Sequence, residues 1–170
     1  MPDMEQNASK KLKKNKKDKL KFLLTPSIAL FIIGLDLWIK TYLRLNFSFQ
    51  SFPLIDNLVY ITVVFNTGMA FGFFPGKTNL LIYLTLILIL AFLFVFKKEQ
   101  KKKITFLIAT GLIFGGAVSN LIDRLMLGAV IDYIDLRFWP VFNLSDSCIT
   151  IGAVLLIIDS LRKKIDEKSI

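Results

Sequence analysis

The residues able to do chemistry are few in kind. The chain of 170 residues has no His and one Cys, Cys148. That excludes a Ser-His-Asp triad, a Cys-His dyad and an HExxH zinc site together. Asp, Ser, Lys, Tyr and Arg remain. Two acids stand out, Asp132 in Val130-Ile131-Asp132-Tyr133 and Asp146 in Phe142-Asn143-Leu144-Ser145-Asp146. The residues between them include Arg137 and Pro140, enough for a link that folds back and brings the two carboxylates together. Close carboxylates do not both ionise easily, so one keeps a proton while the other is a base. Such a pair can activate water against an amide carbonyl and protonate the leaving nitrogen. The plainer readings are a surface loop acid at Asp132 and a helix N-cap at Asp146.

Other polar residues gather at the same level. Asn120, Asp123 and Arg124 fall roughly 24–30 Å along an apolar block that begins at Ile104. Asp36 and Lys40 lie in the same half of an earlier block. Ionisable groups inside apolar spans are costly and call for a reason. Asp36 and Lys40 share a helix face and read as a structural pair. Asp123 and Arg124 read either as an ion pair at a helix end or as substrate-positioning groups. Asn120 and Arg124, four apart, share a face. Asp159 reads as a helix-end acid and Cys148 as a small packing residue.

The elements that must position these groups are membrane spans. The composition is 54% hydrophobic with a mean hydropathy of +0.59, above that of an ordinary soluble domain. Four apolar blocks, about 22–43, 78–96, 104–125 and 144–161, approach the ~20 residues that cross a bilayer. Pro26 is expected in the first turn of span one. The first block is too long for a signal-peptide core and is read as a retained span. The fold class is therefore an all-α membrane protein of four transmembrane helices with a small extracytoplasmic β element. That element covers about 45–77. Strands are expected at Asn46–Gln50 and Leu58–Phe65, with Pro53, Gly68, Gly72, Pro75 and Gly76 as breakers. Phe47, Phe49, Phe52 and Tyr60 would rest on the interface.

The net charge of +9 sits in the flanks of the spans, so a membrane and its lipids, not nucleic acid, are the expected partner. Of 22 Lys and Arg, eight lie in residues 1–21, five in the 97–103 link and four in the C-terminal tail. The positive-inside rule then places both termini and that link in the cytoplasm, with 44–77 and 126–143 outside. Residues 1–21 read as a solvated, disordered basic tail, 22–162 as one membrane domain and 163–170 as a second cytoplasmic tail.

Three other functions fit parts of this pattern. A small transporter would use intramembrane acids, but the acids cluster at one face and no Gly/Pro-broken repeat is present. A Ser-Lys peptidase would pair Ser145 or Ser147 with Lys40. A non-enzymatic membrane assembly factor needs no dyad.

Four motifs carry a family resemblance over about residues 22–162. GGAVSNLIDRLMLGAVIDYID (115–135) resembles the lipoprotein signal peptidase pattern GGAxGNLxDRxxxGxVxDFxD. FNLSDSCITIG (142–152) resembles FNxADxxIxxG, NTGMAFG (66–72) resembles NxGxAFG, and DLWIK (36–40) resembles DQxxK. The resemblance implies an aspartyl peptidase with Asp132 and Asp146 as its catalytic pair. It implies that Asn66, Asn120, Arg124 and Asn143 line the site, and it matches Asp36 and Lys40 to the first-span pair. Asp123 joins the substrate-binding or dyad-supporting set. It further implies prolipoproteins with a diacylglyceryl cysteine as substrates, cut just before that cysteine at the outer face of the bacterial cytoplasmic membrane. Globomycin sensitivity follows, with a monomer and no metal or cofactor expected. The chain departs from the pattern at four positions: Leu37 for Gln, Ser119 for Gly, Tyr133 for Phe and Ser145 for Ala.

Overall fold

The computed structural model describes residues 2–48, 50–68, 76–98 and 103–168. In chain order the elements are α1 (Pro2–Phe47), β1 (Ser51–Ile55), β2 (Val59–Asn66), α2 (Thr78–Lys98), α3 (Ile104–Leu127), β3 (Val130–Asp135) and α4 (Leu144–Lys168). Each apolar block became a helix. Among the described residues, Leu23–Phe47, Ile104–Leu127 and Leu144–Arg162 are long and apolar enough to cross a membrane. The apolar part of α2, Thr78–Phe94, is shorter. Phe49, Met69 to Pro75 and most of the 97–103 link lie outside the described residues.

α3 is the central helix, packed against α1 on one side and α4 on the other. Lipid offers no hydrophobic drive between helices, so close backbone approach must hold them. A Cβ on Gly115 would stand 2.9 Å from the Ala29 carbonyl oxygen of α1, and one on Gly116 would stand 2.5 Å from the Ser145 carbonyl oxygen of α4. Neither position has room for a side chain. Thr25 Oγ1 adds a hydrogen bond from α1 to the Leu107 carbonyl of α3, at 3.0 Å.

The edges of α1 correct two expectations. The helix runs from Pro2, through most of the segment expected as a basic tail. That segment is rich in Lys, with Leu, Ala, Met, Glu and Gln, all good helix formers, and the span behind it supplies a nucleus that an isolated segment lacks. Pro26 consequently stands inside the helix and not in its first turn. At the other end α1 runs on to Phe47, where a strand at 46–50 was expected. Asn46 Nδ2 donates to the Tyr42 carbonyl at 2.8 Å, and Ser48 Oγ donates to that of Arg44. Local side chains thus satisfy carbonyls at the helix end, which the polar–aromatic alternation did not reveal.

The β element is a three-stranded antiparallel sheet in the order β1-β2-β3. β2 corresponds to the strand expected at 58–65. β1 contains Pro53, which is tolerated because β1 is an edge strand. β3 was expected as part of a loop. α3 ends at Gly128, whose φ of 72° allows its N–H to reach the Arg124 carbonyl. The β-branched and aromatic run that follows then pairs with β2, with Val64 opposite Asp132 and Asn66 opposite Val130. Leu43, Val63, Ile131 and Tyr133 form the core between the sheet and α1, with Ile39, Phe47, Ile61 and Leu144 against it. This core fixes the sheet at the end of the bundle where Asp36, Asn120 and Asp146 lie.

Candidate functional site

The site is assembled from the end of α3, from β3 and from the start of α4. After β3 the chain turns at Arg137, with φ 66°, and folds back so that the Phe142 N–H donates to the Ile134 carbonyl at 3.0 Å. That return places Asn143 beside β3. Asn143 is also the N-cap of α4. Its Oδ1 accepts the Asp146 N–H at 2.8 Å, and Asp146 Oδ2 accepts the Asn143 N–H at 3.3 Å. This is a reciprocal capping box. The N-cap expected at Asp146 therefore belongs to Asn143, with Asp146 as its partner three residues on.

Asn143 joins the two acids. Its Nδ2 donates to Asp132 Oδ1 at 2.7 Å and lies 3.2 Å from Asn120 Oδ1. Asn120 Nδ2 in turn donates to Asp146 Oδ1 at 2.8 Å. On the other side, Asn66 Nδ2 donates to Asp132 Oδ2 at 2.8 Å while its Oδ1 accepts the Gly68 N–H at 2.9 Å. Asp132 and Asp146 thus stand in one amide network, and among the described residues neither forms a salt bridge. Asp132 is only 2% exposed. Burial, and then the charge of Asp146, push its carboxyl up to about 7, against the lowering effect of the Asn66 and Asn143 amides and of Lys40.

Both acids line an open cavity of about 830 Å³ that also includes Asn66, Asn120 and Arg124. A second, apolar cavity of about 280 Å³ runs between α2 and α3, past Leu84, Leu88 and Phe114, and shares Asn120, Arg124 and Asp146 with the first. Arg124 Nη2 donates to the Gly68 carbonyl at 3.2 Å. Its Nε is buried without a partner among the described residues.

Asp36, Lys40 and Asp123 form a different cluster beside this site. Lys40 is 1% exposed. Its Nζ reaches Asp36 Oδ2 at 2.7 Å, Asp123 Oδ2 at 2.9 Å and Asn120 Oδ1 at 2.8 Å. Three protons meet three acceptors. The structural pair read from the sequence is thus a triad across α1 and α3. Asp123 turns to Lys40, and its Oδ2 also accepts the Ile131 N–H at 3.2 Å. The ion pair between Asp123 and Arg124 is therefore not formed. Lys40 is not available to a serine either: Ser145 Oγ donates to Asp36 and Ser147 Oγ to the Asn143 carbonyl. Asp159, expected at a helix end, lies within α4 and pairs with Lys103 at 3.0 Å.

The structure brings Asp132, Asp146, Asn66, Asn120, Asn143 and Arg124 to one cavity, with Asp36, Lys40 and Asp123 behind it. Sequence reasoning missed two parts, the Gly68 backbone and the hydroxyls of Ser119, Tyr133 and Ser145 around Asp36. The hydroxyls were visible as departures from a pattern, but nothing in linear spacing showed their common target.

A bundle of membrane-spanning helices with a carboxylate site at one end defines a multi-pass membrane protein. Residues 28–162 match the family model described as signal peptidase (SPase) II. The chain is 42% identical over 133 residues to a lipoprotein signal peptidase of Halothermothrix orenii, covering 77% of this chain and 90% of that protein. It is 44% identical over 130 residues to one from Syntrophomonas wolfei, covering 76% and 87%. A bacterial membrane enzyme solved by the in meso method at 2.3 Å superposes with a TM-score of 0.77 at 33% identity, over 82% of this chain and 88% of that one. The chain belongs to the signal peptidase II family, and it is accordingly a peptidase that acts in lipoprotein processing.

Proposed function

We propose that this chain is an aspartyl endopeptidase that removes the signal peptide from diacylglyceryl-modified prolipoproteins, cutting just before the lipidated cysteine. The observation that carries the reading is the Asn143 bridge, which holds a buried Asp132 and the α4 acid Asp146 on one open cavity, with neither in a salt bridge among the described residues. Asp132 holds the proton near neutrality, for the reasons of burial and charge given above. Asp146 takes a proton from water as the water oxygen bonds to the scissile carbonyl carbon. Asp132 gives its proton to the carbonyl oxygen. Collapse of the tetrahedral intermediate returns a hydroxyl proton to Asp132 as the C=O bond re-forms and the C–N bond breaks, and the proton on Asp146 passes to the leaving nitrogen. Asn66, Asn120 and Asn143 hold the two carboxyls in register. Arg124, whose Nε is free among the described residues, faces the substrate backbone.

The apolar cavity beside α2 suits the signal helix, which leaves the acyl chains in lipid. The distribution of Lys and Arg supports four spans with both termini in the cytoplasm and the sheet on the outer face of the bacterial cytoplasmic membrane. The enzyme acts as a monomer without cofactor or metal and is blocked by globomycin. The test is release of signal peptide from a diacylglyceryl prolipoprotein peptide by the reconstituted full-length protein. Cleavage at any other bond, or only of the unmodified peptide, would reject the specificity.

A further inference from the structure

Asp36 carries more donors than its role as a counter-ion needs. Lys40 on its own helix already neutralises it. Yet Asp36 Oδ2 also accepts Ser119 Oγ at 2.7 Å and Ser145 Oγ at 2.5 Å, and Oδ1 accepts Tyr133 Oη at 3.1 Å. The three hydroxyls come from α3, α4 and β3. Ser119 and Ser145 have no exposed surface and Tyr133 is buried. Burial and the charge of Asp36 push the Tyr133 phenol upward, so it stays a donor.

The placement of these donors connects them to the acids. Tyr133 follows Asp132 on β3, and Ser145 precedes Asp146 on α4. Tyr133 Oη also accepts the Leu144 N–H at 3.1 Å, one of the first-turn donors of α4 left without a helical partner. Each acid is thus one residue from a side chain anchored on the same buried carboxylate. All three hydroxyls stand where the chain departs from the family pattern, at positions where that pattern has Gly, Phe or Ala, none of which has a hydroxyl.

We infer that Ser119, Tyr133 and Ser145 are positioning residues, which act through Asp36 to fix the separation of Asp132 and Asp146 and thereby set the turnover rate. None of the three lines the cavity of about 830 Å³. Their effect therefore falls on kcat and not on substrate affinity. The inference rests on the reading of Asp132 and Asp146 as the reacting pair.

The experiment measures kcat, KM and the thermal midpoint of the full-length protein in nanodiscs with a diacylglyceryl prolipoprotein peptide. The variants are Tyr133→Phe, Ser145→Ala and each of these combined with Asp36→Asn. Small displacements of reacting groups are costly in rate, so each single variant is expected to lower kcat about 3–10-fold with KM within about two-fold. In the Asp36→Asn background the same changes are expected to cost less than about two-fold, because effects that share one partner are not additive. Wild-type kcat in both single variants, whatever their thermal midpoints, would overturn the inference. So would an undiminished cost in the Asp36→Asn background. Tyr133→Phe removes only an oxygen, so its kcat stands as a test even if Asp36→Asn gives little folded protein. Asp132→Asn in the same assay separates the two levels. If it is inactive while the hydroxyl variants match wild type, this inference alone fails; if it is active, the reading of the dyad fails first.

Discussion

Two pairs of carboxylates lie side by side at one end of this bundle, three of the four buried and Asp146 half-buried, and they are solved differently. In the first, Asp36 and Asp123 share the Lys40 ammonium, and all three Lys40 protons are used. In the second, Asp132 and Asp146 receive side-chain bonds, among the described residues, from the amides of Asn66, Asn120 and Asn143 and open onto a cavity. An ammonium fixes a carboxylate in its charged form and closes it to further chemistry. An amide orients a carboxyl in either protonation state. Burial of an acid therefore does not by itself mark a reactive group; the nature of its partner does. Asn120 touches both groups, accepting a hydrogen bond from Lys40 and donating one to Asp146, so the closed cluster serves as the wall of the open one.

The two pairs of carboxylates should differ most in their effect on activity. Asp132→Asn and Asp146→Asn are each expected to lower the rate of signal-peptide release at least about 10³-fold, in line with loss of a reacting group, with the helical circular dichroism retained. Appreciable activity in either variant would place the chemistry elsewhere.

Stability should invert the ranking. Lys40→Met leaves two carboxylates buried without their cation, and breaking a buried pair in this way costs about 3–5 kcal/mol. Asp132→Asn keeps the shape and removes a group held against its charge, so its thermal midpoint is expected to equal or exceed that of wild type. Unfolding followed in detergent tests both. A Lys40→Met protein as stable as wild type would show that the triad is not the scaffold.

Titration sharpens the same contrast. The carboxyl of Asp132 is raised from 3.8 to about 7 in the folded chain, so between those values the native state binds more protons than the unfolded one. Stability from this group is therefore full at low pH and is lost as the pH rises toward 7. Under the proposed mechanism activity needs the proton on Asp132, and it is expected to fall along an alkaline limb near 7. Thermal midpoints and kcat measured from pH 5 to 9 test the two effects together. Asp132→Asn should flatten the stability profile.

Much of this was legible in the sequence, for reasons that also define what was not. The spans were legible because apolar length is a local property, and both acids because the spacing and the motifs around them are local too. β3 was missed although Val130, Ile131, Tyr133 and Ile134 favour strands; a strand also needs a partner edge, and β2 lies over 60 residues away in the chain. β1 was misplaced by several residues because Pro53 was read as a breaker without knowledge that the strand is at the edge of the sheet. The hydroxyls around Asp36 are 83, 97 and 109 residues from it. A side chain of ordinary type reaching a distant partner leaves no trace in spacing.

The smallest predicted effect isolates burial from charge. Lys103 and Asp159 form an ion pair of 3.0 Å between α3 and α4, with the Lys103 side chain 57% exposed. Its separation matches those around Lys40, so geometry alone would rank the two alike. Water screens the exposed pair, and removal of one partner leaves the other solvated; such pairs contribute about 0–1 kcal/mol. Lys103→Ala is therefore expected to shift the thermal midpoint slightly and to leave kcat unchanged, against the large loss in Lys40→Met. If the two substitutions were equally costly, the contrast would have to be sought in helix packing and not in the desolvation of an unpaired charge.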